Sequence, residues 1–485
     1  MTEHSEPSPA WMRRLLYEAP RPARVRASLR APWLIVTTVC VGAFMGQLDA
    51  SIVTVAIPAM RADLNATIDQ VEWVALVYLL VLVGTIGAVG RISDMFGRKL
   101  FYTYGFVLFT LSSVGAGLSP TIEWLLVARV FQAIGAAMLQ ANSVALIRTN
   151  IPSRTLGRAI GIQGAAQAIG LALGPTVGGL LVGLGGWRWV FFVNIQAGII
   201  GVALAWFLLP RTRAKAPRAP LDWRGLTTLM PGIALLLWTL TAASRGQALA
   251  PQTLIALAVG VILMVVFVLI EHRVTNPLVD LALFRSAVFS KGIITGLLSY
   301  LVLFGVLFVF PIFLVEGLAL TPGASGLVLT VLPAALGVIA PVAGRIADRF
   351  GPTLPTATGM GVTAVALGTT AILPLPLWGL GVALLLVGVG LGLFTPANNA
   401  TVAAAGPPHH AGMVSAVLNM TRGLGTSLGV AVAAAAYTLG TAGEVDQSSP
   451  SGFHVAVTTL AVIAAVAALI SLIRVSGRRL APPAD

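Results

Sequence analysis

The chain has 485 residues, of which 57% are hydrophobic and only 10% charged, with a net charge of +13. Soluble domains are roughly 45–50% apolar and about 25% charged, so this composition excludes a soluble globular protein and predicts many membrane-spanning helices with short loops. In that class the positive charge is expected to gather on the cytoplasmic side rather than to bind nucleic acid. The single cysteine, Cys40, excludes an internal disulfide, and we expect neither a metal site nor a cofactor.

Fourteen apolar windows of spanning length follow one another along the chain, and none shows the alternating pattern of a barrel strand. In chain order they are Trp33–Pro58, Val71–Arg91, Phe101–Leu118, Glu123–Asn150, Leu156–Gly183, Trp189–Leu209, Leu226–Ala243, Thr253–Ile270, Phe289–Leu314, Gly323–Ile346, Thr353–Leu373, Leu377–Thr395, Met413–Leu439 and Phe453–Ile473. The sequence therefore predicts an all-α polytopic membrane protein.

The charges between these windows favour one orientation. With the N-terminus in the cytoplasm, only Arg61, Arg188 and Arg245 fall outside. Arg129 and Arg422 lie in or near spans, and the other 25 of the 30 Lys and Arg residues face the cytoplasm. We therefore predict a multi-pass protein of the cytoplasmic membrane with both termini inside.

An octapeptide occurs twice, as GRISDMFG at Gly90–Gly97 and as GRIADRFG at Gly344–Gly351, each time after the second long window of its half. Such a repeat predicts duplicated halves related by an axis along the membrane normal. The windows Leu226–Ala243 and Thr253–Ile270 then form a hairpin between two six-helix bundles. The predicted division is a cytoplasmic basic tail (1–32), a first bundle (33–210), the hairpin with flanking cytoplasmic loops (211–285), a second bundle (286–475) and a cytoplasmic tail (476–485).

The repeated loop carries residues suited to a conformational switch. Glycine permits tight helix ends and the close approach of a neighbouring helix, and an aspartate can pair with an arginine or lie at the positive N-terminus of another helix. Contacts of this kind can form in one transport state and break in the other. The predicted switch residues are Gly90, Asp94, Gly97, Arg98, Gly344 and Asp348.

Three segments together resemble the major facilitator superfamily, and within it the fourteen-span drug:proton antiporters. Gly90–Lys99 is similar to the family's loop motif, Gly170–Gly179 to its antiporter motif, and Leu48–Pro58 to the first-span motif of that subgroup. The resemblance implies the major facilitator fold. A glycine face and a proline kink in the antiporter motif suit close packing and bending; its candidate residues are Gly170, Gly174, Pro175, Gly178 and Gly179. The chain departs from the family pattern at Thr54, where asparagine is usual, and at Ala133, where glycine is common.

Asp49 is the only acid in the middle of a predicted span, and an ionisable residue there costs roughly 2.5–3.5 kcal/mol. Counted from the outer ends of their spans, Asp49 and Arg129 lie at depths of about 13 and 9 Å, so we expect them to meet. Burial disfavours the carboxylate and a guanidinium stabilises it, so separating the pair would change proton binding. The resemblance implies that this acid couples proton entry to substrate exit; a purely structural ion pair is the alternative.

The substrate cavity is expected to be large, apolar and sparsely lined with polar groups. The resemblance implies that the first, fourth, seventh and tenth core helices form it. Candidate lining residues on those helices are Gln47, Gln132, Tyr300, Phe304, Phe308, Phe394, Asn398 and Asn399; for the aromatic ones a packing or lipid-facing role is the alternative. We interpret Arg422 as a residue that braces neighbouring helices, Glu316 as surface charge, and His409 and His410 as loop residues.

The leading hypothesis is a proton-coupled antiporter, not an enzyme, that exports amphipathic and often cationic or aromatic drugs by alternating access. A dedicated exporter of an endogenous metabolite, antibiotic or lipid is the alternative. A membrane-embedded enzyme or a sensor is a remote alternative, because the chain shows no nucleophile motif, metal set or extramembrane domain. Expected partners are a small amphipathic substrate, protons and membrane lipids, and we expect a monomer. The tail around Trp11–Leu16 either lies along anionic lipids or is disordered.

Overall fold

The computed structural model describes residues 18–473 apart from positions 19, 27, 29, 67, 213–221, 243–246, 248–249, 275–276, 321, 407–410 and 442–449. The sequence predictions that fall outside this description concern the segments Trp11–Leu16, His409-His410 and 476–485 and the side chains of Thr54, Pro175 and Glu316. All structural statements below refer to the described part of the chain.

Fourteen helices of at least 20 residues run through the described residues, and no strand occurs among them. They are α1 (Ala31–Asp63), α2 (Ile68–Phe96), α3 (Arg98–Gly117), α4 (Ile122–Asn150), α5 (Leu156–Gly185), α6 (Trp189–Leu208), α7 (Trp223–Ala242), α8 (Pro251–Glu271), α9 (Ala287–Ile312), α10 (Pro322–Phe350), α11 (Thr353–Ile372), α12 (Leu377–Ala405), α13 (Ala411–Thr441) and α14 (Pro450–Leu472). Each helix overlaps one predicted window, which confirms the all-α prediction.

Eleven of these helices are by themselves long and apolar enough to cross a membrane, and α5 makes twelve if its two segments, bent by 42° between Gly174 and Val177, count as one span. The other two are α7 and α11. In α11, threonine hydroxyls donate to carbonyls of their own helix, from Thr363 to Gly359 over 3.0 Å and from Thr370 to Ala366 over 2.9 Å. Hydroxyls bonded in this way can be accommodated in a bilayer. By length and composition, the fourteen predicted windows thus yield eleven or twelve clear spans.

The helices form two six-helix bundles with the same internal packing. In the first, α1 packs against α5 and α6, α3 against α4 and α6, and α2 against α4. In the second, α9 packs against α13 and α14, α11 against α12 and α14, and α10 against α12. Phe106 and Phe109 are fully buried in the first bundle, and Leu367 and Leu384 in the second. Each helix contact of the first bundle recurs eight helices later, as a duplicated chain requires.

The bundles meet mainly where α5 packs against α10 and where α13 packs against α2 and α4. The hairpin helices α7 and α8 pack against each other, and α7 also packs against α2. Apolar side chains of α8, among them Ile255, Ile262 and Leu269, are exposed, as expected for a helix that faces lipid. The predicted arrangement of two bundles with two additional helices between them is confirmed, while the exact domain limits stay a prediction.

Candidate functional site

A buried ion pair joins α1 to α4 inside the first bundle. Arg129 Nη1 donates to Asp49 Oδ2 over 2.7 Å, and neither side chain is more than 1% exposed. The two residues therefore meet, as their predicted depths indicated. Removing one partner of a pair buried to this degree costs about 3–5 kcal/mol, because the other charge is left uncompensated.

Two amides complete the surroundings of the Asp49 carboxylate. Its Oδ1 accepts hydrogen bonds from Gln132 Nε2 at 2.9 Å and from Asn194 Nδ2 at 2.8 Å. Arg129 also donates to Gln132 Oε1 at 2.7 Å and to the carbonyl of Val74 at 3.0 Å. All three groups that contact the carboxylate are donors, which suits its ionised form. A proton on Oδ2 would conflict with the donation from Arg129.

Gln132, predicted to line the substrate cavity, instead belongs to this network. It is fully buried and donates to Ser113 Oγ at 2.8 Å as well as to Asp49. The sequence singled out neither Ser113 nor Asn194 as a partner of the acid. Both are polar residues within spans, but only the packing of α3 and α6 around the pair shows that their side chains point to it.

Tyr78 of α2 connects the ion pair to the centre of the protein. The guanidinium carbon of Arg129 lies 4.1 Å from the centre of its ring, a cation–π contact, and the same side chain lines a cavity between the bundles. The Tyr78 hydroxyl is buried and has no hydrogen-bond partner within the described part of the chain. A shift of Arg129 would therefore be transmitted to the cavity wall through Tyr78.

Two adjoining cavities lie between the bundles, with empty volumes of about 860 and 920 Å³. They share Gln47, Leu171, Phe304, Asn419 and Arg422 in their walls, and we call them together the central cavity. The first extends towards α5, α10 and α12, and the second towards α2.

Four of the eight predicted lining residues face the central cavity, namely Gln47, Tyr300, Phe304 and Asn399. All four helices that the resemblance implied contribute to the wall, and α5, α10 and α13 contribute as well. The cavity therefore involves helices from the contact surface of both bundles rather than four central helices alone.

Besides Gln132, three predicted lining residues lie elsewhere. Phe394 is buried in the core of the second bundle, and Phe308 packs against the same core. Asn398 donates to the carbonyl of Gly292 at 2.9 Å and so joins α12 to α9. On α12 the cavity-facing residues include Asn399, and the step of about 100° between neighbouring residues of a helix turns Asn398 away from the cavity.

Arg422 of α13 is the one charged residue among the described residues that line the central cavity. Its Nη2 donates to Gln140 Oε1 of α4, and Asn419 Nδ2 donates to the Gln140 carbonyl at 3.0 Å. Arg422 therefore bridges two helices, as predicted, but its position in the cavity wall was not predicted. Among the described residues of this wall there is no acidic side chain that would favour a cationic compound. Asp49 is fully buried and does not line the cavity.

Asp94, in the first copy of the repeated loop, contacts both an arginine and the N-terminus of another helix, the two kinds of partner predicted for it. Its Oδ1 accepts a hydrogen bond from Arg98 Nε at 2.7 Å, and both side chains are at most 4% exposed. Its Oδ2 accepts from the backbone N–H of Met413 at 3.3 Å, in the first turn of α13. The N-terminus of a helix favours negative charge, so Asp94 ties the first bundle to the second.

Asp348, in the second copy, makes the reciprocal contact. Its carboxylate accepts from the backbone N–H groups of Gly157 at 2.8 Å and Arg158 at 3.0 Å, in the first turn of α5. Each bundle thus places the aspartate of its loop on the N-terminus of the fifth helix of the other bundle.

Glycine is required at specific positions of the repeated loop. Gly97 and Gly351, which end the two copies, have φ angles of 130° and 82°, a region that other residues rarely adopt. A Cβ on Gly344 would overlap the backbone of α5, so glycine permits the close approach of α5 and α10. Gly90 contributes its carbonyl, which accepts from Ser93 Oγ at 2.8 Å.

The predicted antiporter motif lies where α5 packs against α1. A Cβ on Gly170 would lie 2.6 Å from a backbone carbonyl oxygen of α1, and one on Gly174 would overlap Ser51. Gly178 is buried, whereas Gly179 faces open space. The bend of α5 begins directly after Gly174, at the Gly-Pro pair of the motif.

A third ion pair of the first bundle lies at the end of α1 remote from the repeated loop. Asp63 Oδ2 accepts from Arg188 Nη1 at 2.5 Å and from Trp187 Nε1 at 3.0 Å. The charged side chains are 37% and 47% exposed. The hydrogen bonds from Arg188, and secondarily Trp187, hold the pKa of Asp63 below its ordinary value.

The sequence profile of the Major Facilitator Superfamily matches residues 39–430, and a second match covers residues 292–484. The chain belongs to the major facilitator superfamily. The riboflavin transporter RibZ of Clostridioides difficile is 31% identical over 83% of this chain and 88% of its own length. The tetracenomycin C resistance and export protein of Streptomyces glaucescens is 34% identical over 83% of this chain and 75% of its own length.

The solved structure of the human organic anion transporter MFSD10 aligns with this major facilitator protein with a TM-score of 0.68, over 91% of this chain and 99% of MFSD10. At 16% sequence identity, that likeness shows the common fold. This member of the superfamily is therefore a multi-pass membrane transporter. Within its described residues, no group of three or more His, Cys, Asp or Glu side chains is placed to bind a metal ion.

Proposed function

We propose that this transporter is a proton-coupled antiporter that exports small amphipathic compounds across the cytoplasmic membrane by alternating access. The observation that carries the proposal is the enclosed pair of Asp49 and Arg129, linked through Tyr78 to the central cavity. An acid in this position can exchange a proton, and its partner touches the wall against which a substrate would bind.

Protonation of Asp49 removes the charge that holds Arg129. The remaining partners of Arg129, Gln132 and the Val74 carbonyl, are neutral acceptors, so its guanidinium is held less strongly and can move against the Tyr78 ring. A proton that enters the cell supplies about 2.3 kcal/mol per 100 mV of membrane potential. This energy is comparable to that of the one or two hydrogen bonds that change partner in the step.

The distribution of contacts between the bundles supports alternating access. At the end that carries the repeated loops, Asp94 and Asp348 join the bundles. Towards the other end, a Cβ added to Gly179, Gly183 or Gly326 would meet no atom of the described structure within 4 Å. With the repeated loops in the cytoplasm, the contacts of Asp94 and Asp348 close the molecule on the inner side, and export also requires a state in which they are broken.

A dedicated exporter of one metabolite or antibiotic is the second candidate function. The observation that favours it is that the two relatives above are each named for a single compound, riboflavin and tetracenomycin C. A susceptibility panel on a pump-deficient bacterial host, with and without the gene, separates the two. Protection against many unrelated compounds supports a multidrug pump, and protection against one chemical class supports a dedicated exporter.

The coupling assignment is tested with Asp49→Asn in proteoliposomes that contain a trapped pH indicator. Asparagine keeps the size of the side chain but cannot release a proton, so we expect proton movement driven by a compound from the panel to be lost while quenching of tryptophan fluorescence by that compound survives. Asp63→Asn is the matched control, because it removes an acid from the same helix at an exposed site, and should keep wild-type proton movement. Wild-type proton movement in Asp49→Asn would refute the assignment.

A further inference from the structure

We infer that the central cavity selects compounds that carry a negative charge, or a dense set of hydrogen-bond acceptors, on a flat apolar frame, and that Arg422 is the residue that recognises this feature. The inference rests on the proposed transport function and narrows its substrate class. It departs from the preference for cationic compounds that the sequence suggested.

The charge of the cavity wall is the first support. Arg422 lines both parts of the central cavity, and no acidic side chain does so within the described structure. Its hydrogen-bond partner across the bundles, Gln140, is neutral, and no described residue forms an ion pair with it. A guanidinium in a membrane interior without a counter-charge is costly, so an anionic group on a bound compound would supply the missing partner.

The geometry of the guanidinium favours particular anions. Its planar arrangement of N–H donors matches the two oxygens of a carboxylate, sulfonate or phosphate, which it can bind with parallel hydrogen bonds. The contact to Gln140 involves Nη2, and Arg422 as a whole still borders the cavity. Side-chain amides of Gln47, Gln167 and Asn399 lie in the same wall and can donate further hydrogen bonds.

The acid of the proton site cannot reverse this preference. Asp49 is fully buried, and its carboxylate already accepts from Arg129, Gln132 and Asn194. It therefore does not form part of the surface that a compound in the cavity meets. A cationic compound would face Arg422 with a like charge and find no acid in the wall to offset it.

The apolar residues of the cavity wall indicate the shape of the apolar part of the ligand. Tyr300 and Phe304 of α9 and Leu171 of α5 give apolar surface beside the amides. Aromatic faces favour flat ring systems, which stack on them at little cost in conformational freedom. The cavity therefore fits an aromatic compound with an acidic or acceptor-rich edge directed at Arg422.

Two dyes with the same xanthene ring system test the charge preference, namely fluorescein, which is anionic at pH 8, and rhodamine 123, which is cationic. Binding to the full-length protein in an uncharged detergent is measured by fluorescence polarisation, with protein-free micelles subtracted. We expect fluorescein to bind at least tenfold more tightly than rhodamine 123. Equal binding, or tighter binding of rhodamine 123, overturns the inference without any variant.

Variants of Arg422 then assign the preference to this residue. Arg422→Gln should lower the affinity for fluorescein at least tenfold and leave that for rhodamine 123 unchanged or higher, while Arg422→Lys should keep the preference for the anion. Arg148→Gln is the matched control, because Arg148 also donates across the bundles, to the Gly406 carbonyl, without lining the central cavity. A loss of affinity by the same factor for both dyes in Arg422→Gln would reduce Arg422 to a helix brace.

The design separates this inference from the proposed coupling. Binding is measured without a proton gradient, so Asp49→Asn should keep the ratio of the two dye affinities even though it loses proton movement. If Arg422→Gln does not fold, the wild-type ratio and the Arg422→Lys ratio still decide the outcome. A wild-type preference for the anion together with unaltered proton movement in Asp49→Asn would refute the coupling alone.

Discussion

Asp348→Asn should loosen the contact between the bundles at the end that carries the repeated loops. The Asp348 carboxylate accepts from two successive backbone N–H groups of α5, at 2.8 and 3.0 Å. Asparagine has one oxygen, so it can replace only one of these bonds, and its NH₂ group then faces a donor. The variant also removes the negative charge from the positive end of α5.

The size of the effect follows from these contacts. A hydrogen bond to a charged group contributes about 1.5–3 kcal/mol, and the lower part of that range applies because this contact is only partly buried. Allowing for the one bond that asparagine keeps, the closed arrangement should lose about 1–2 kcal/mol, or roughly 5–30-fold in the equilibrium between the two states. Only the state in which the contact exists is affected, so the whole loss appears as a shift in population.

Distance measurements between spin labels can follow this shift. Cys40 is the single cysteine of the chain, so Cys40→Ser provides a background free of thiols. Arg154→Cys and Leu354→Cys place labels on exposed positions beside the contact, one in each bundle. In Asp348→Asn the population of short distances should fall, and longer distances should appear.

Asp94→Asn serves as the comparison on the other side of the pseudo-symmetry axis. Asp94 also lies at a helix N-terminus of the second bundle, where it accepts from the Met413 N–H at 3.3 Å, so its variant should shift the population in the same direction and slow transport without removing substrate binding. A distance distribution in Asp348→Asn identical to that of the wild type would refute the reasoning. Unchanged turnover in Asp94→Asn would return that loop to a merely structural role.

Two further predictions concern packing and pH. Gly344→Ala should reduce transport several-fold, because a Cβ there would overlap the backbone of α5, and overpacking costs about 1–3 kcal/mol. Gly326→Ala, on the same helix but with open space around it, should transport as the wild type does. Equal transport rates for the two variants would contradict the packing argument. The wild type should unfold at a higher temperature than Asp63→Asn at pH 7, because the lowered pKa of Asp63 means that Arg188 and Trp187 stabilise its ionised form. An acid with a lowered pKa loses its contribution to stability as the pH falls through that pKa. The difference in melting temperature should therefore disappear at a pH well below the ordinary aspartate pKa of about 4. A difference independent of pH would exclude this role of the carboxylate.

The helices and their symmetry could be predicted from the chain because both depend on short-range patterns. A span needs about 20 apolar residues whatever its neighbours are, and each predicted window became one helix. The octapeptide repeat likewise predicted matching halves, and the aspartates of both copies lie on helix N-termini. Which helices they meet was open, because nothing at Gly157 or Met413 marks those N-termini in the sequence.

The sequence by itself determined the class of protein, the helix order, the duplicated bundles and the expectation that Asp49 and Arg129 meet. These features depend on hydropathy, charge and repetition, which are visible along the chain without knowledge of how the helices pack. Tertiary structure decided which polar residues surround Asp49, that Gln132 contacts the ion pair rather than the cavity, and that Arg422 lies in the cavity wall. Each residue along a helix turns by about 100°. The face that a helix presents to a cavity therefore depends on its rotation against its neighbours, and only the packing of all the helices sets that rotation.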